Sequence, residues 1–431
     1  MADLVGNCIV AQSGGPTAVI NASVAGVIEE AYKHEQIEEV YGALNGILGV
    51  LNEQIIDLSE EKNSAIKGLL YTPAAALGSC RHKLAFGSKD AAKAAEAQRD
   101  CERILEVFKA HNIRYFFYAG GNDSMDTADK VNKLAQEQGY ELRVIGVPKT
   151  IDNDLPFTDH CPGYGSVIKY LATAVMEASR DTEAMCSNPT CNLIEVMGRH
   201  AGWIAAGTVL AKRSEEDGPH IILLPEVPFV RESFVAEVKA IIAKLNRCVI
   251  VVGEGLQGPD GKLISFMDGK FVKDAFGHTQ LGGAAESIRG IVEEEVGVKC
   301  RTAKLGVLQR SASHCASKTD RDNAYLAGAR AVQIAVEGQT DVMVTLTREG
   351  AGESVKFGTG TAALAEIANN EKLLPRDWIN EQGTLPNEKF IEYARPLIQG
   401  EVTPPMEGGL PKYVRLEKHL VEKKCGEYGA K

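Results

Sequence analysis

A lysine, a hydroxyl and two carboxylates crowd into Gly146-Val147-Pro148-Lys149-Thr150-Ile151-Asp152-Asn153-Asp154, directly behind Arg143 to Val147, a mostly apolar stretch that reads as a buried strand. Thr150 to Asp154 is too polar to continue a core strand and reads as a functional loop; the plainer reading is a pair of turn or capping aspartates. An ionised aspartate, with an unperturbed pKa of about 3.9, can take the proton of a hydroxyl held within hydrogen-bond reach. Gly120-Gly121-Asn122-Asp123-Ser124 follows a second strand and offers an amide and a carboxylate whose oxygens suit magnesium, or simply cap a helix. Ser13-Gly14-Gly15-Pro16-Thr17 follows a third strand and opens a helix, where unpaired N–H groups and the helix dipole favour an anion. It is not a P-loop, because no Gly-Lys-Ser/Thr follows. Glycines, acids and a cation at strand ends point together to phosphoryl transfer.

Such chemistry needs cations around the phosphates. Glu195-Val196-Met197-Gly198-Arg199-His200 brings an arginine to a strand's C-terminal end, where open α/β sheets bind ligands, and the arginine fork suits phosphate. Glu254 and Arg310 end strands in the same manner, Arg81 stands beside Gly78-Ser79-Cys80, and Arg301 precedes a strand from Lys304. Each could equally be a surface ion pair. His200, with no second ligand at metal spacing, reads as a packing histidine.

The elements that must position these residues alternate. Strands are expected at Asn7 to Ala11, Tyr115 to Ala119, Arg143 to Val147, Asn192 to Val196, His220 to Leu224, Cys248 to Val252, Lys304 to Leu308 and Val342 to Leu346. Helical spacing of apolar residues marks Ala18 to Tyr32, Asp126 to Gln138, Ser166 to Ala178, Ser233 to Leu245, Ala284 to Glu295 and Asp322 to Glu337. That alternation is the pattern of parallel sheets covered by helices, a doubly wound α/β fold. Pro259-Asp260-Gly261 and Asp268-Gly269 flank Leu263 to Phe266 and suggest a hairpin, while the tail from Pro375 reads as a partly helical wrap or surface appendage.

The 431 residues exceed what one core accommodates. A net charge of −11 argues against nucleic acid or an anionic membrane surface, so a phosphorylated ligand needs a local cationic pocket. No apolar run is long enough to span a bilayer, no basic-then-apolar leader opens the chain, and ten scattered cysteines lack a Cys-x-x-Cys pair. The expectation is a cytoplasmic protein with reduced thiols.

Taken in order, Ser13-Gly14-Gly15, Gly78-Ser79-Cys80-Arg81, Gly120 to Ser124, Pro148 to Asp154, Met197-Gly198-Arg199, Pro225-Glu226-Val227-Pro228-Phe229 and Leu308-Gln309-Arg310 resemble the phosphofructokinase family over most of residues 6–350. The resemblance implies two doubly wound, Rossmann-like α/β lobes with mainly parallel sheets, the active site in the cleft between them, and a C-terminal extension. Residues 1–160 with about 309–370 would form the donor-binding lobe, about 161–308 the sugar-phosphate-binding lobe, and 371–431 the extension. It further implies that Asp152 activates the 1-hydroxyl of fructose 6-phosphate, and that Thr150, Ile151, Asp154, Met197, Gly198, Arg199, Glu254, Arg301 and Arg310 bind the sugar phosphate. Gly14 and Arg81 would contact the phosphoryl donor, and Asn122 stands where the family's usual aspartate serves Mg2+. Val307 and Thr190 stand where ATP-using bacterial members often have histidine and an arginine that reaches a neighbouring subunit. A homo-oligomer, dimer or tetramer, is implied.

Two positions choose the donor in this family. ATP-using members typically have glycine at the positions of Asp123 and Lys149, whereas pyrophosphate-dependent members carry the acid and the lysine. A carboxylate adds bulk and negative charge where a nucleotide's α-phosphate and ribose would pass, and Lys149 can neutralise charge on pyrophosphate and on the departing phosphate. The resemblance therefore implies a reversible, pyrophosphate-dependent transfer to fructose 6-phosphate. An ATP-dependent member with Asp123 swung aside, and a non-catalytic sugar-phosphate-binding regulatory subunit hinted at by Asn122, are the alternatives.

Overall fold

Cys8 and Val10 face one side of strand β1 (Gly6–Gln12), and Ile9 and Ala11 face the other, so every apolar residue of this strand finds a core. Tyr115 and Phe117, against Phe116 and Tyr118, divide β4 (Ile113–Gly120) in the same way. A strand apolar on both faces is stable only with helices covering both, each fully buried Ile or Phe contributing about 1.5–3 kcal/mol. The computed structural model describes residues 4–84, 91–264 and 283–429.

The first sheet adds β2 (Ile37–Ala43), β3 (Ile55–Asp57), β5 (Arg143–Pro148), β10 (Val342–Glu349) and β11 (Lys356–Ala363) in the order β11-β10-β5-β4-β1-β2-β3. Its central strands are parallel; only the edges β3 and β11 run antiparallel. The second sheet is wholly parallel: β6 (Thr190–Val196), β7 (Ile221–Leu223), β8 (Arg247–Gly253) and β9 (Lys299–Lys304), in the order β7-β8-β6-β9. In the first sheet the chain leaves β1 toward β2 on one side and returns as β4 on the other. Their carboxyl ends therefore form a switch point, where α/β sheets hold ligands.

The expected helices form, at Ile20–Ala31, Asn122–Glu137, Tyr164–Ala184, Arg231–Leu245, Ala284–Ile291 with a π-helical turn to Val296, and Lys318–Val336, whereas the long helix Ala91–Ala110 is not among those expected. Two of them cross at glycines: a Cβ on Gly26 would sit 2.2 Å from the Tyr325 carbonyl oxygen, and one on Gly328 2.0 Å from that of Ser23. No larger residue permits that approach.

One expected strand is corrected. Lys304 to Leu308 is not a strand; β9 ends at Lys304, Gly306 turns the chain with a φ of +52°, and a short helix begins at Leu308. The apolar run misleads because Val307 and Leu308 are 58% and 61% exposed, while the true strand is a polar edge whose Cys300 packs inward. Arg310 accordingly stands in a helix (Leu308–Ser311), and Arg301 lies within β9. At the expected hairpin, Gln257 and Leu263 form an antiparallel bridge around Pro259-Asp260-Gly261; the second turn lies outside the described residues.

The C-terminal segment is helical at Glu388–Ala394. It then extends along the edge of the first sheet, where Leu420 bridges antiparallel to Ile56. Buried Glu53 receives the backbone N–H groups of Lys424 and Cys425, and Glu61 those of Glu417 and Lys418, which fixes the tail in place.

Candidate active site

Lys149 leaves the end of β5, passes the glycine-only end of β4, and donates from Nζ to the carbonyl of Gly15 beyond β1 at 2.9 Å. Gly120 packs against the start of the next helix, where a Cβ would meet Ser124 Oγ at 2.0 Å. Gly14, at a φ of +74°, and Gly15 bring the backbone so close that a Cβ on each would approach Lys149 Nζ at 3.0 Å and an Arg310 nitrogen at 2.8 Å. Burial draws Lys149 down to about 8, Asp152 opposes that, and Arg310 and Arg81 reinforce it.

The Thr150–Asp154 loop crosses from the first lobe to the second. Ile151 buries its side chain in the second lobe's core, and Asn153, with a φ of +56°, anchors the turn. Asn153 Nδ2 donates to the Tyr393 hydroxyl at 2.8 Å, and its Oδ1 accepts the N–H of Cys161 at 3.0 Å. Thr150 Oγ1 receives the N–H of Asp152 at 3.1 Å. Asp152 is thereby presented to a cleft of about 370 Å³ lined by Gly14, Arg81, Asn122, Lys149, Asp154 and Arg199, among others.

From the second lobe, Arg199 follows β6, and Glu254 follows β8 with its N–H on the Val196 carbonyl at 3.0 Å. Gly255 has to be glycine, since a Cβ there would lie 1.7 Å from the Arg199 carbonyl oxygen. Gln309 accepts the N–H of Met197 at 3.1 Å and so ties the short helix bearing Arg310 to the end of β6.

Acids and cations interlock electrostatically. Burial raises Asp152, while Lys149 and Arg199 favour its ionised form. Burial followed by the charges of Asp152 and Glu371 brings Asp154 up to about 7, and burial followed by Asp152 brings Glu254 to about 7 against the pull of Arg199. Arg310 is lowered by burial and by Arg81, which puts both guanidiniums within reach of the same space. A basic group beside cations meant for phosphate is the arrangement that hydroxyl activation and phosphoryl transfer require.

Asn122 opens the helix after β4, with Asp123 in its first turn. Its Oδ1 is buried without a hydrogen-bond partner, as an oxygen reserved for a cation would be. Among the described residues no group of three or more His, Cys, Asp or Glu side chains could hold a metal. One amide oxygen beside phosphate-binding space fits magnesium, which takes few protein ligands and completes its shell from substrate oxygens and water.

The cleft brings together Gly14, Arg81, Asn122, Asp123, Lys149, Thr150, Asp152, Asp154 and Arg199. Glu254 and Arg310 stand within electrostatic reach, and Met197 and Gly198 form the β6 end beside them. Arg301 is separate: exposed on β9, it pairs with Asp181 at 3.5 Å. Lys83, Asn369, Glu371 and His200 also line the cleft. His200, read as a packing residue, instead approaches Glu371 at 3.4 Å, and Lys83 pairs with Asp123 at 2.8 Å. Only chain folding unites these positions, although Arg81 and Lys83, two apart on one extended strap, could have been read as facing the same way.

Residues 7–335 match the family model described as phosphofructokinase. The chain belongs to the phosphofructokinase family. A curated relative from Halomonas elongata, named pyrophosphate–fructose 6-phosphate 1-phosphotransferase, is 48% identical over 98% of this chain and 99% of its own length. One of the same name from Methylococcus capsulatus is 44% identical over 97% of each. The crystal structure of a pyrophosphate-dependent phosphofructokinase from Marinobacter aquaeolei superposes with a TM-score of 0.88 at 44% identity, covering 99% of this chain and all of that one. The two-sheet architecture is thus a phosphofructokinase architecture.

Proposed function

We propose that this phosphofructokinase transfers a phosphoryl group from inorganic pyrophosphate to the 1-hydroxyl of fructose 6-phosphate, releasing fructose 1,6-bisphosphate and phosphate, reversibly, in glycolysis and gluconeogenesis. The observation that carries the reading is Lys149, buried between the Gly14-Gly15 turn and Asp152, with Asp123 lining the same cleft. The names of near-full-length relatives support it.

Asp152 accepts the 1-hydroxyl proton as that oxygen bonds to phosphorus. The bridging P–O bond breaks, and the leaving phosphate keeps the electron pair, its charge met by the ammonium of Lys149. Arg81, with Gly14, holds the donor; Arg199, Arg310 and Glu254, beside Met197 and Gly198, hold the sugar phosphate, and Thr150 and Asp154 flank the base. The protein forms no covalent intermediate, and positioning and charge supply the acceleration. Magnesium, held by Asn122 with Asp154 near, would neutralise pyrophosphate oxygens when bound. Arg301, exposed and paired with Asp181, is not among the residues lining this cleft, so its contact with a sugar phosphate would come at the site of a neighbouring copy in a homo-oligomer, which light scattering and an Arg301→Ala KM for the sugar would test. The reading places the enzyme in the cytoplasm; among the described residues no helix is long and apolar enough to cross a membrane.

Fructose 1,6-bisphosphate formation measured separately with pyrophosphate and ATP tests the proposal: turnover is expected with pyrophosphate alone. Efficient ATP use without pyrophosphate activity would overturn it. Asp152→Ser should lower kcat roughly 10²–10⁴-fold with little change in sugar KM.

A further inference from the structure

Asp123 poses an electrostatic problem. On the pyrophosphate reading its carboxylate would stand in the way of a nucleotide, yet a bare negative charge there would also repel pyrophosphate, itself a polyanion, strongly enough to matter roughly tenfold. The helix N-terminus favours the carboxylate but does not remove its charge.

The strap after Gly78-Ser79 supplies the counter-charge. Arg81 and Lys83 line the cleft, whereas Leu84 between strap and helices is fully buried. His82 bonds Asp100 at 2.7 Å, and the Leu84 carbonyl accepts from Lys130 Nζ at 2.8 Å, Lys130 belonging to the same Asn122–Glu137 helix as Asp123. The strap is therefore held on either side of Lys83, by His82 to the Ala91–Ala110 helix and by Leu84 to the helix that carries Asp123, and the Lys83 ammonium is delivered 2.8 Å from the Asp123 carboxylate. Partial burial would lower Lys83, but the bond and charge of Asp123 prevail and raise it, so the lysine is cationic throughout the physiological range.

We propose that Lys83 is a specificity-determining positioning residue: by neutralising Asp123 it lets that carboxylate act as a steric stop against donors longer than pyrophosphate without repelling pyrophosphate itself. The inference rests on the pyrophosphate reading above and adds a residue to it. Lys83 acts through Asp123 rather than on the donor.

A double-mutant cycle on the full chain tests this. Lys83→Met should raise the KM for pyrophosphate by roughly tenfold or more, leave that for fructose 6-phosphate within about threefold, and shift the thermal midpoint by no more than about 2 °C, since a half-exposed pair adds little stability. Lys83→Arg should restore pyrophosphate KM. In an Asp123→Asn background, Lys83→Met should change pyrophosphate KM less than about threefold, because no charge remains to neutralise. An equal rise in both backgrounds would show direct donor binding and overturn the inference, as would an unchanged KM in the single variant or a uniform rise for both substrates with a fallen midpoint. A wild-type enzyme using ATP and not pyrophosphate removes the functional reading as well; one using pyrophosphate with Lys83→Met unaffected removes the Lys83 inference alone.

Discussion

Lys149 is protonated at neutral pH in spite of its burial, because its depressed value, about 8, still lies above 7. Its charge is lost as pH rises through that value, and Asp152, the base in the proposed mechanism, must meanwhile stay ionised. The two requirements give a bell whose alkaline limb belongs to Lys149. In the free enzyme, kcat/KM for pyrophosphate should fall above about pH 8; Lys149→Arg should carry the limb at least one unit higher, because guanidinium does not titrate there. An alkaline limb unmoved in Lys149→Arg would assign it to another group. That Lys149, Asp152 and Asp123 would meet at strand ends was legible in the sequence, because polar and reactive residue types stand out behind apolar strands, while the roles assigned to them came from the family resemblance. Glu371 and His200 were not legible, for their roles arise only when residues far apart in the chain line one cleft.

At the scale of elements, strands buried on both faces announce themselves as short apolar runs, which is why β1, β4, β5, β6, β8 and β10 were recoverable. β11, rich in glycine and threonine, and β2, carrying Glu38-Glu39, did not, because edge and near-edge strands need bury only part of their surface. The catalytic loop's anchor escaped notice for a related reason: Asn153 looks like one more polar loop residue, yet both ends of its amide are bonded, one to the C-terminal helix. Asn153→Gly keeps the left-handed backbone accessible and removes only those bonds. We expect a loss of roughly 2–3 kcal/mol in urea unfolding and a drop in kcat larger than the rise in sugar KM, as Asp152 loosens. Tyr393→Phe, which removes one bond, should lie between. Wild-type kcat in Asn153→Gly would mean that the loop is held without its anchor.

For the whole molecule, the cleft is a place where stability has been given up for chemistry. Asp154 and Glu254 are both raised to about 7, by burial first and Asp152's charge next. In the unfolded chain they titrate near 4. Between those values the folded state binds more protons than the unfolded one, so their contribution to stability is fully present at low pH and is lost as pH rises from about 4 through about 7. Lys149 has the opposite slope in another window: held to about 8 against an ordinary 10.5, it penalises folding fully below about 8, and the penalty shrinks as pH rises from about 8 to 10.5. The Lys149 window lies above that of the acids, and comparing a variant with the wild type cancels the other groups that titrate below pH 7.5, such as buried His220, lowered to about 4. Asp154→Asn removes one of the crowded charges and should stabilise the ligand-free enzyme on the order of 1–3 kcal/mol at pH 7.5, with the gain shrinking toward pH 5, while activity falls. Urea unfolding at both pH values measures it. A gain independent of pH would trace to packing rather than charge, and a loss at pH 7.5 would show that the Asp154 carboxylate supports the fold instead of burdening it.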